Sequence, residues 1–212
     1  MTATGHARRF KLLFVGVGGQ GTLTAAKFLG EAALAAGLPV LVGQLHGMSQ
    51  RGGSVECSVL IGPGQSSHLG NGEADVVVGL EPLEVLRALP RMSAATSVVV
   101  NLGRITPFHL AVQGKKYPDL GQVLAQVRAV SPRVFEVDGP ALVKQVGESR
   151  TLNVVMLGAL AGLGLLPFDP ALVLSAVERD SPPRFVQANR SAFSLGMGAV
   201  RQKPLQPSAQ PT

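Results

Sequence analysis

The chain has 212 residues, 46% of them hydrophobic and 15% charged, with a formal net charge of +6 and a pI near 10.1. It is too apolar to be disordered and long enough to bury one full core. Two compatible readings account for the apolar excess: a well-filled parallel sheet rich in Ala, Val, Leu and Gly, or a large face buried against another chain. The positive charge does not indicate nucleic acid. The basic residues are scattered apart from Arg8, Arg9 and Lys11 and the Lys115-Lys116 pair, Trp is absent and there is a single Tyr, so no basic-aromatic interleaving exists. An anionic substrate, cofactor or acidic partner suits the charge better.

Cys57 is the single cysteine. Disulfides, a cysteine zinc site and an iron–sulfur cluster within this chain are thereby excluded, since a cluster takes four thiolates. Its run, Val55-Glu56-Cys57-Ser58-Val59, reads as a strand. Arg8-Arg9 before Phe10–Val15 imitates a signal peptide, but the apolar stretch is short, interrupted by Lys11, and runs into glycines without a cleavage site. The apolar run Leu152–Leu166, about fifteen residues with Asn153 inside, is too short to span a bilayer. A cytoplasmic protein without membrane segments is expected.

In chain order, Lys11–Val17 is a β-branched and aromatic run that stops at glycine, the signature of a strand ending in a turn. A helix is predicted over Gln20–Ala36, closed by Gly37 before Pro39, and a strand over Pro39–Leu45. The next strand, Ser54–Ile61, follows too soon for a parallel crossover, so it is expected antiparallel and the sheet mixed. Asp75–Leu80 reads as a strand, Pro82–Met92 as a helix opened by Pro82, and Thr96–Asn101 as a strand. Residues 103–118 read as a loop with a short hairpin. Leu120–Val130 is a predicted helix and Arg133–Val137 a strand. From Pro140 the pattern turns helical: Ala141–Val146, Leu152–Leu165, Pro170–Glu178 and Arg184–Gly198. The proline-bearing tail Arg201–Thr212 lacks apolar periodicity and is expected to be disordered. The predicted fold is α/β: a three-layer Rossmann-like mixed sheet, helices on both faces and a helical C-terminal segment, forming one domain over residues 1–200.

The strongest chemical signal lies between the first strand and helix. Gly16-Val17-Gly18-Gly19-Gln20-Gly21 satisfies G-x-G-x-x-G at Gly16, Gly18 and Gly21. Such glycines let backbone approach a diphosphate whose charge meets free N–H groups at the helix start, where Thr22 and Thr24 add hydroxyls. A dinucleotide site also needs an acid at the end of the second strand; here the chain reads Gln44-Leu45-His46-Gly47. Anion binding and tight packing against a partner's backbone both remain open for this loop.

The segment His46-Gly47-Met48-Ser49-Gln50-Arg51-Gly52-Gly53 follows the second strand, and should lie beside the glycine loop at the carboxyl ends of the strands. Arg51 offers a planar fork for phosphate or carboxylate, Gly52-Gly53 permits close backbone approach, and His46 titrates near neutrality. Glu31, Glu73 and Glu81 are candidate acids, but isolated glutamates of this kind are expected on the solvated surface.

The ordered set G-x-G-G-Q-G, then H-G-M-S-Q-R-G-G-S-V, then Asp75, Glu81-Pro82-Leu83-Glu84 with Leu86-Arg87, Asn101, Pro107, Asn153 with Leu157-Gly158-Ala159, and finally Asn189, Ala192-Phe193 and Gly196 resembles the gamma domain of 2-oxoacid:ferredoxin oxidoreductases. The resemblance covers residues 10 to 198. The His46-Gly47-Met48 form with Gln50-Arg51 is similar to the small beta subunit of the indolepyruvate branch.

The resemblance implies a subunit that binds no cofactor alone. Thiamine diphosphate, magnesium and [4Fe-4S] clusters are expected on a large alpha subunit, ferredoxin as electron acceptor, and oxidative decarboxylation of an aryl 2-oxoacid to an acyl-CoA. The chain also lacks the Gly-Asp-Gly stretch and following Asn that grip magnesium in relatives with that cofactor. Gly16, Gly18, Gly19, Gln20, Gly21, His46, Gln50, Arg51, Gly52 and Gly53 are the residues expected to face the partner or an anionic group such as a carboxylate or coenzyme A phosphate. Competing readings are a gamma subunit acting on another 2-oxoacid, an independent dinucleotide-binding protein, and a structural subunit whose glycine loops serve contact only.

Overall fold

The computed structural model describes residues 9–46, 53–106 and 116–201, the side chains of Leu45, His46 and Arg201 aside. Strand β1 (Phe10–Val17) leads through the glycine turn to α1 (Thr22–Ala35), β2 (Val40–His46) and β3 (Ser54–Ile61). Then come β4 (Val76–Gly79), α2 (Pro82–Arg87), β5 (Ser97–Asn101), α3 (Leu120–Val130) and β6 (Arg133–Val137). The remainder is helical: α4 (Gly139–Val146), α5 (Leu152–Gly162), α6 (Ala171–Asp180) and α7 (Pro183–Arg201).

The six strands form one sheet in the order β2-β3-β1-β4-β5-β6. β1, β4, β5 and β6 are mutually parallel, while β3 pairs antiparallel with both β1 and β2. The mixed sheet expected from the short β2–β3 connection is what forms. Because β3 reverses, it sits between β1 and β2, and its first residue, Ser54, lies opposite Val17 at the end of β1.

Alternation along β1 builds two cores. Phe10, Leu12 and Phe14 point to a layer made by α1, α5, α6 and α7. Leu13 and Val15 point to the layer that holds residues of α2 and α3. The central strands β4 and β5 are buried along their whole length, which is why they read as unbroken valine runs rather than alternating ones. Helix α5 is apolar around its circumference because it too is buried, Asn153 to Ala161 throughout.

Most boundaries fall within two residues of the sequence reading, and three helix ends depart further. The helix expected to reach Met92 ends at Arg87 and a 3-10 turn, Leu89–Arg91, replaces its end, because Pro90 cannot donate to a fourth-residue carbonyl and disfavours a helical residue before it. The apolar run after Leu152 leaves the helix at Gly162, and Gly164 adopts φ 67°. Helix α7 extends to Arg201, the first residue of the expected tail. The rest of that tail and the expected hairpin within 107–115 lie outside the described residues.

Helices α5 and α7 cross at backbone distance. A Cβ on Gly196 would stand 1.9 Å from the Val155 carbonyl oxygen, and one on Gly158 would stand 2.1 Å from that of Phe193. Gly196→Ala is therefore expected to destabilise the chain by about 2 kcal/mol through overpacking, read as a lowered urea midpoint; an unchanged midpoint would show the helices free to separate. Cys57 is fully buried in β3, and burial, followed by the neighbouring Glu56, pushes its thiol up to about 11. The stability tied to the protonated thiol is thus present below its ordinary value and lost as pH rises through about 11. Iodoacetamide should leave Cys57 unlabelled at pH 7.5 until the chain is unfolded in urea, whereas rapid native-state labelling would contradict its burial.

Candidate functional site

The carboxyl ends of β1, β4, β5 and β6 meet the end of β2 and the start of β3 along one rim of the sheet. At its centre is the peptide carbonyl of Leu80, just past β4. The Leu80 N–H donates to the Val15 carbonyl at 2.8 Å, which locks it to β1. Its oxygen accepts from two side-chain amides, Gln20 Nε2 at 2.9 Å and Asn101 Nδ2 at 2.8 Å. Gln20 Oε1 in turn accepts from the Val17 N–H at 2.7 Å, and Asn101 Oδ1 from the Gly103 N–H at 3.1 Å. The loops after β1, β4 and β5 are thereby tied together by neutral amides, each using both a donor and an acceptor.

Glycine makes this closure possible at two positions. A Cβ on Gly16 would fall 2.7 Å from Thr22 Oγ1 and 3.0 Å from Gln20 Oε1, displacing the glutamine from its seat. Gly21 caps α1 at φ 82°, a left-handed conformation that side chains disfavour, and a Cβ there would meet Asn153 Nδ2 at 2.9 Å. With glycine at the cap, no side chain among the described residues caps the first-turn N–H groups of α1, and no acid lies in that turn. The Thr22 hydroxyl is buried without a hydrogen-bond partner among the described residues.

Beside this helix start is a cleft of about 480 Å³, lined by the glycine loop, Thr22, Leu23, Thr24, Gln44 and Val55. The Gly18 N–H donates to the Gly53 carbonyl at 2.8 Å, so the end of the second loop does meet the glycine loop, as expected. Behind it the Ser54 hydroxyl donates to Glu84 at 2.5 Å, and the other oxygen of Glu84 accepts from Arg87 at 2.5 Å.

Glu81 overturns the expectation of a solvated glutamate: it is fully buried. One carboxylate oxygen caps α2, accepting from the N–H groups of Leu83 at 2.7 Å and Glu84 at 3.2 Å. The other accepts from the Tyr117 hydroxyl at 2.6 Å and the Ile105 N–H at 3.3 Å. Burial holds its carboxyl above the usual range against the opposing effect of these four donors, and burial together with Glu81 pushes the Tyr117 phenol upward. Pro82 at the first position of α2 marks the helix start and so places Glu81 at its N-cap, but nothing local marks its burial. The other two candidate acids are ion-paired at the surface, Glu31 with Lys27 and Arg179, and Glu73 with Lys11.

Of the ten expected residues, Gly16, Gly18, Gly19, Gln20, Gly21 and Gly53 lie together on the rim. Gln20 is engaged within the chain at both ends of its amide. The His46 backbone pairs with Val55, which brings it to the same edge, while Gln50, Arg51 and Gly52 lie outside the described residues. Among the described residues no group of His, Cys, Asp and Glu is arranged to hold a metal, and no helix is long and apolar enough to cross a membrane.

Residues 11–199 match the family model described as pyruvate ferredoxin/flavodoxin oxidoreductase. The chain is similar to indolepyruvate oxidoreductase subunit IorB of Methanothermobacter thermautotrophicus, 37% identical over 195 residues, which is 91% of this chain and 98% of that one. IorB of Archaeoglobus fulgidus is 37% identical over 188 residues, 89% and 94% of the two chains. The same fold occurs in the gamma subunit of a keto/oxoacid ferredoxin oxidoreductase from Geobacter sulfurreducens, with TM-score 0.65, 23% identity and coverage of 90% and 98%. It recurs in the 2-oxoglutarate:ferredoxin oxidoreductase of Magnetococcus marinus, with TM-score 0.70, 18% identity and coverage of 97% of this chain and 34% of that one.

Replacing Glu81 by Gln leaves four donors facing an amide that accepts on one side only, so Glu81→Gln should cost about 2 kcal/mol or more of stability. Because the folded-state value is raised, the wild-type advantage over Glu81→Gln should be largest below the ordinary carboxyl range and shrink as pH rises through the raised value. Urea unfolding at pH 4, 6 and 8 reads this directly, and an advantage that grows with pH would contradict the burial argument.

Proposed function

Because the chain belongs to the pyruvate ferredoxin/flavodoxin oxidoreductase family, we propose that it is the small subunit of an aryl 2-oxoacid:ferredoxin oxidoreductase of the indolepyruvate type. In this reading a large alpha subunit holds thiamine diphosphate, magnesium and [4Fe-4S] clusters, and the complex works in the cytoplasm. It decarboxylates the oxoacid, passes two electrons to ferredoxin and transfers the acyl group to coenzyme A. This chain's single cysteine, buried in β3, cannot ligate a cluster, which agrees with the redox centres residing on the partner. When bound on the partner, the thiamine cofactor supplies the carbanion chemistry; this chain supplies orientation and electrostatics.

The observation that carries the reading is the uncapped start of α1 beside the 480 Å³ cleft. The first-turn N–H groups, which no side chain caps among the described residues, and the positive end of the helix form a receptor for an anionic group. In the proposed complex that group is a coenzyme A phosphate or the oxoacid carboxylate, with Arg51 of the adjoining loop as its charged fork. Gln20 contributes by holding the loop in shape rather than by touching the ligand.

The independent dinucleotide-binding alternative is weakened by topology. In a dinucleotide site the strand after the glycine helix lies next to β1 and presents an acid to the ribose. Here β3 intervenes, so β2 stands two strands away, roughly 9.6 Å at 4.8 Å per strand. The residue that β3 places beside the glycine loop is Ser54, already bonded to Glu84.

Two measurements test the proposal. Affinity purification of this chain from its native host should bring a large brown subunit containing thiamine diphosphate and iron–sulfur clusters. In that complex Arg51→Ala should raise the KM for coenzyme A or the oxoacid by about 10- to 100-fold, the loss of one charge-assisted contact. Isolation of the chain alone with a tightly held dinucleotide, or an Arg51→Ala complex with unaltered assembly and kinetics, would contradict it.

A further inference from the structure

Resting on the reading of this chain as a small subunit, we propose that Arg150, Arg184 and Phe185 form a docking point for an acidic segment of the large companion subunit. On the flank built by α1, α6 and α7, most charges are already matched. Lys27 pairs with Glu31 at 3.4 Å and with Asp180 at 3.3 Å. Arg179 pairs with Glu31 and with Asp180, and Arg190 with Glu178 at 2.7 Å. Arg150 and Arg184, both exposed, form no ion pair among the described residues. Instead their guanidinium carbons lie 5.7 Å and 4.7 Å from the centre of one ring, that of Phe185. The nearby Glu148 is occupied with the backbone N–H of Arg150 at 3.1 Å, where it caps a short 3-10 turn.

Two like charges held on one aromatic ring repel each other, and neither forms an ion pair among the described residues. The cation–π contacts restrain both guanidinium groups, so less ordering remains to be lost when a carboxylate arrives. Pro182 and Pro183 stiffen the entry to α7 that carries Arg184 and Phe185. The adjoining hollow, lined in part by Thr24, Arg150, Phe185 and Asn189, measures about 190 Å³, and the two carboxylates on its wall, Glu148 and Asp180, are engaged by the Arg150 N–H and by Lys27 and Arg179. That volume is below the roughly 300–1,000 Å³ that encloses a small ligand, so an extended surface group fits better than a free metabolite. Thr24 lines this hollow and also the 480 Å³ cleft. A partner held at the arginines would therefore reach the α1 start directly, which places docking and ligand sites on one continuous face.

The experiment compares assembly of the full-length chain with its large subunit for wild type, Arg150→Glu/Arg184→Glu, Arg150→Gln/Arg184→Gln and Arg9→Glu. Arg9 is exposed at the opposite end of β1, and its single reversal, equal in charge change to the double glutamine variant, serves as the remote control. The double reversal should weaken the dissociation constant by at least about 100-fold, and the double glutamine variant by about tenfold with a flatter salt dependence. Arg9→Glu should stay within about twofold. The glutamine pair removes charge without adding repulsion, and its far-ultraviolet circular dichroism and melting temperature in the isolated chain guard against misfolding. Wild type that assembles while both double variants assemble equally well overturns the docking point and leaves the subunit reading intact. Wild type that recruits no thiamine diphosphate subunit overturns both.

Discussion

The Leu80–Glu81 peptide is the constraint on which the rim depends. Its carbonyl gathers the side-chain amides of Gln20 and Asn101, the N–H on the other side of Leu80 is anchored to β1, and the Glu81 carboxylate caps α2 and receives Ile105 and Tyr117. Loops after three parallel strands would otherwise be free to move independently, since their backbone groups lack a common ladder. Convergence on one buried peptide holds them in fixed relation without placing an unpaired charge in the cleft. The cost of burying Glu81 is offset only in part by its four donors, and the same four donors order the neighbouring turns.

Strand reversal sets the chemistry that this rim can perform. A parallel second strand next to β1 would present its carboxyl end to a ribose bound at the glycine loop. The antiparallel β3 in that place presents its start, with Ser54 turned to Glu84 and Gly53 bonded to Gly18. The glycine loop is thus shared between the uncapped start of α1 and the end of a second loop. The close crossing of α5 and α7 backs this face from behind, because Asn153, against Gly21, stands at the start of α5. Packing strength in the helical layer and shape of the ligand rim are consequently linked.

Much of the fold was legible along the chain. Periodicity of 2 and 3.6, glycine stops and the short β2–β3 connection identified every strand and the mixed sheet, with most bounds within two residues and the larger departures at helix ends near Pro90, Gly162 and Arg201. The glycine loop was legible as a cluster because its residues are contiguous. The roles of Gln20, Asn101, Glu81 and Tyr117 were not. They arise from contacts across 60, 21 and 36 positions, and nothing local distinguishes a glutamine that clips two loops from one that faces solvent.

By itself, the sequence determined the quantities that follow from composition and local pattern. It excluded a cluster through a count of one cysteine, specified the order of elements through side-chain period, and marked the tight turn through adjacent glycines. Tertiary structure alone decided which polar side chains are spent internally and which remain to meet another molecule. Hydrogen-bond satisfaction and burial depend on strand order and on groups far apart in the chain, so a buried glutamate with four donors and a surface glutamate look alike until the sheet is assembled.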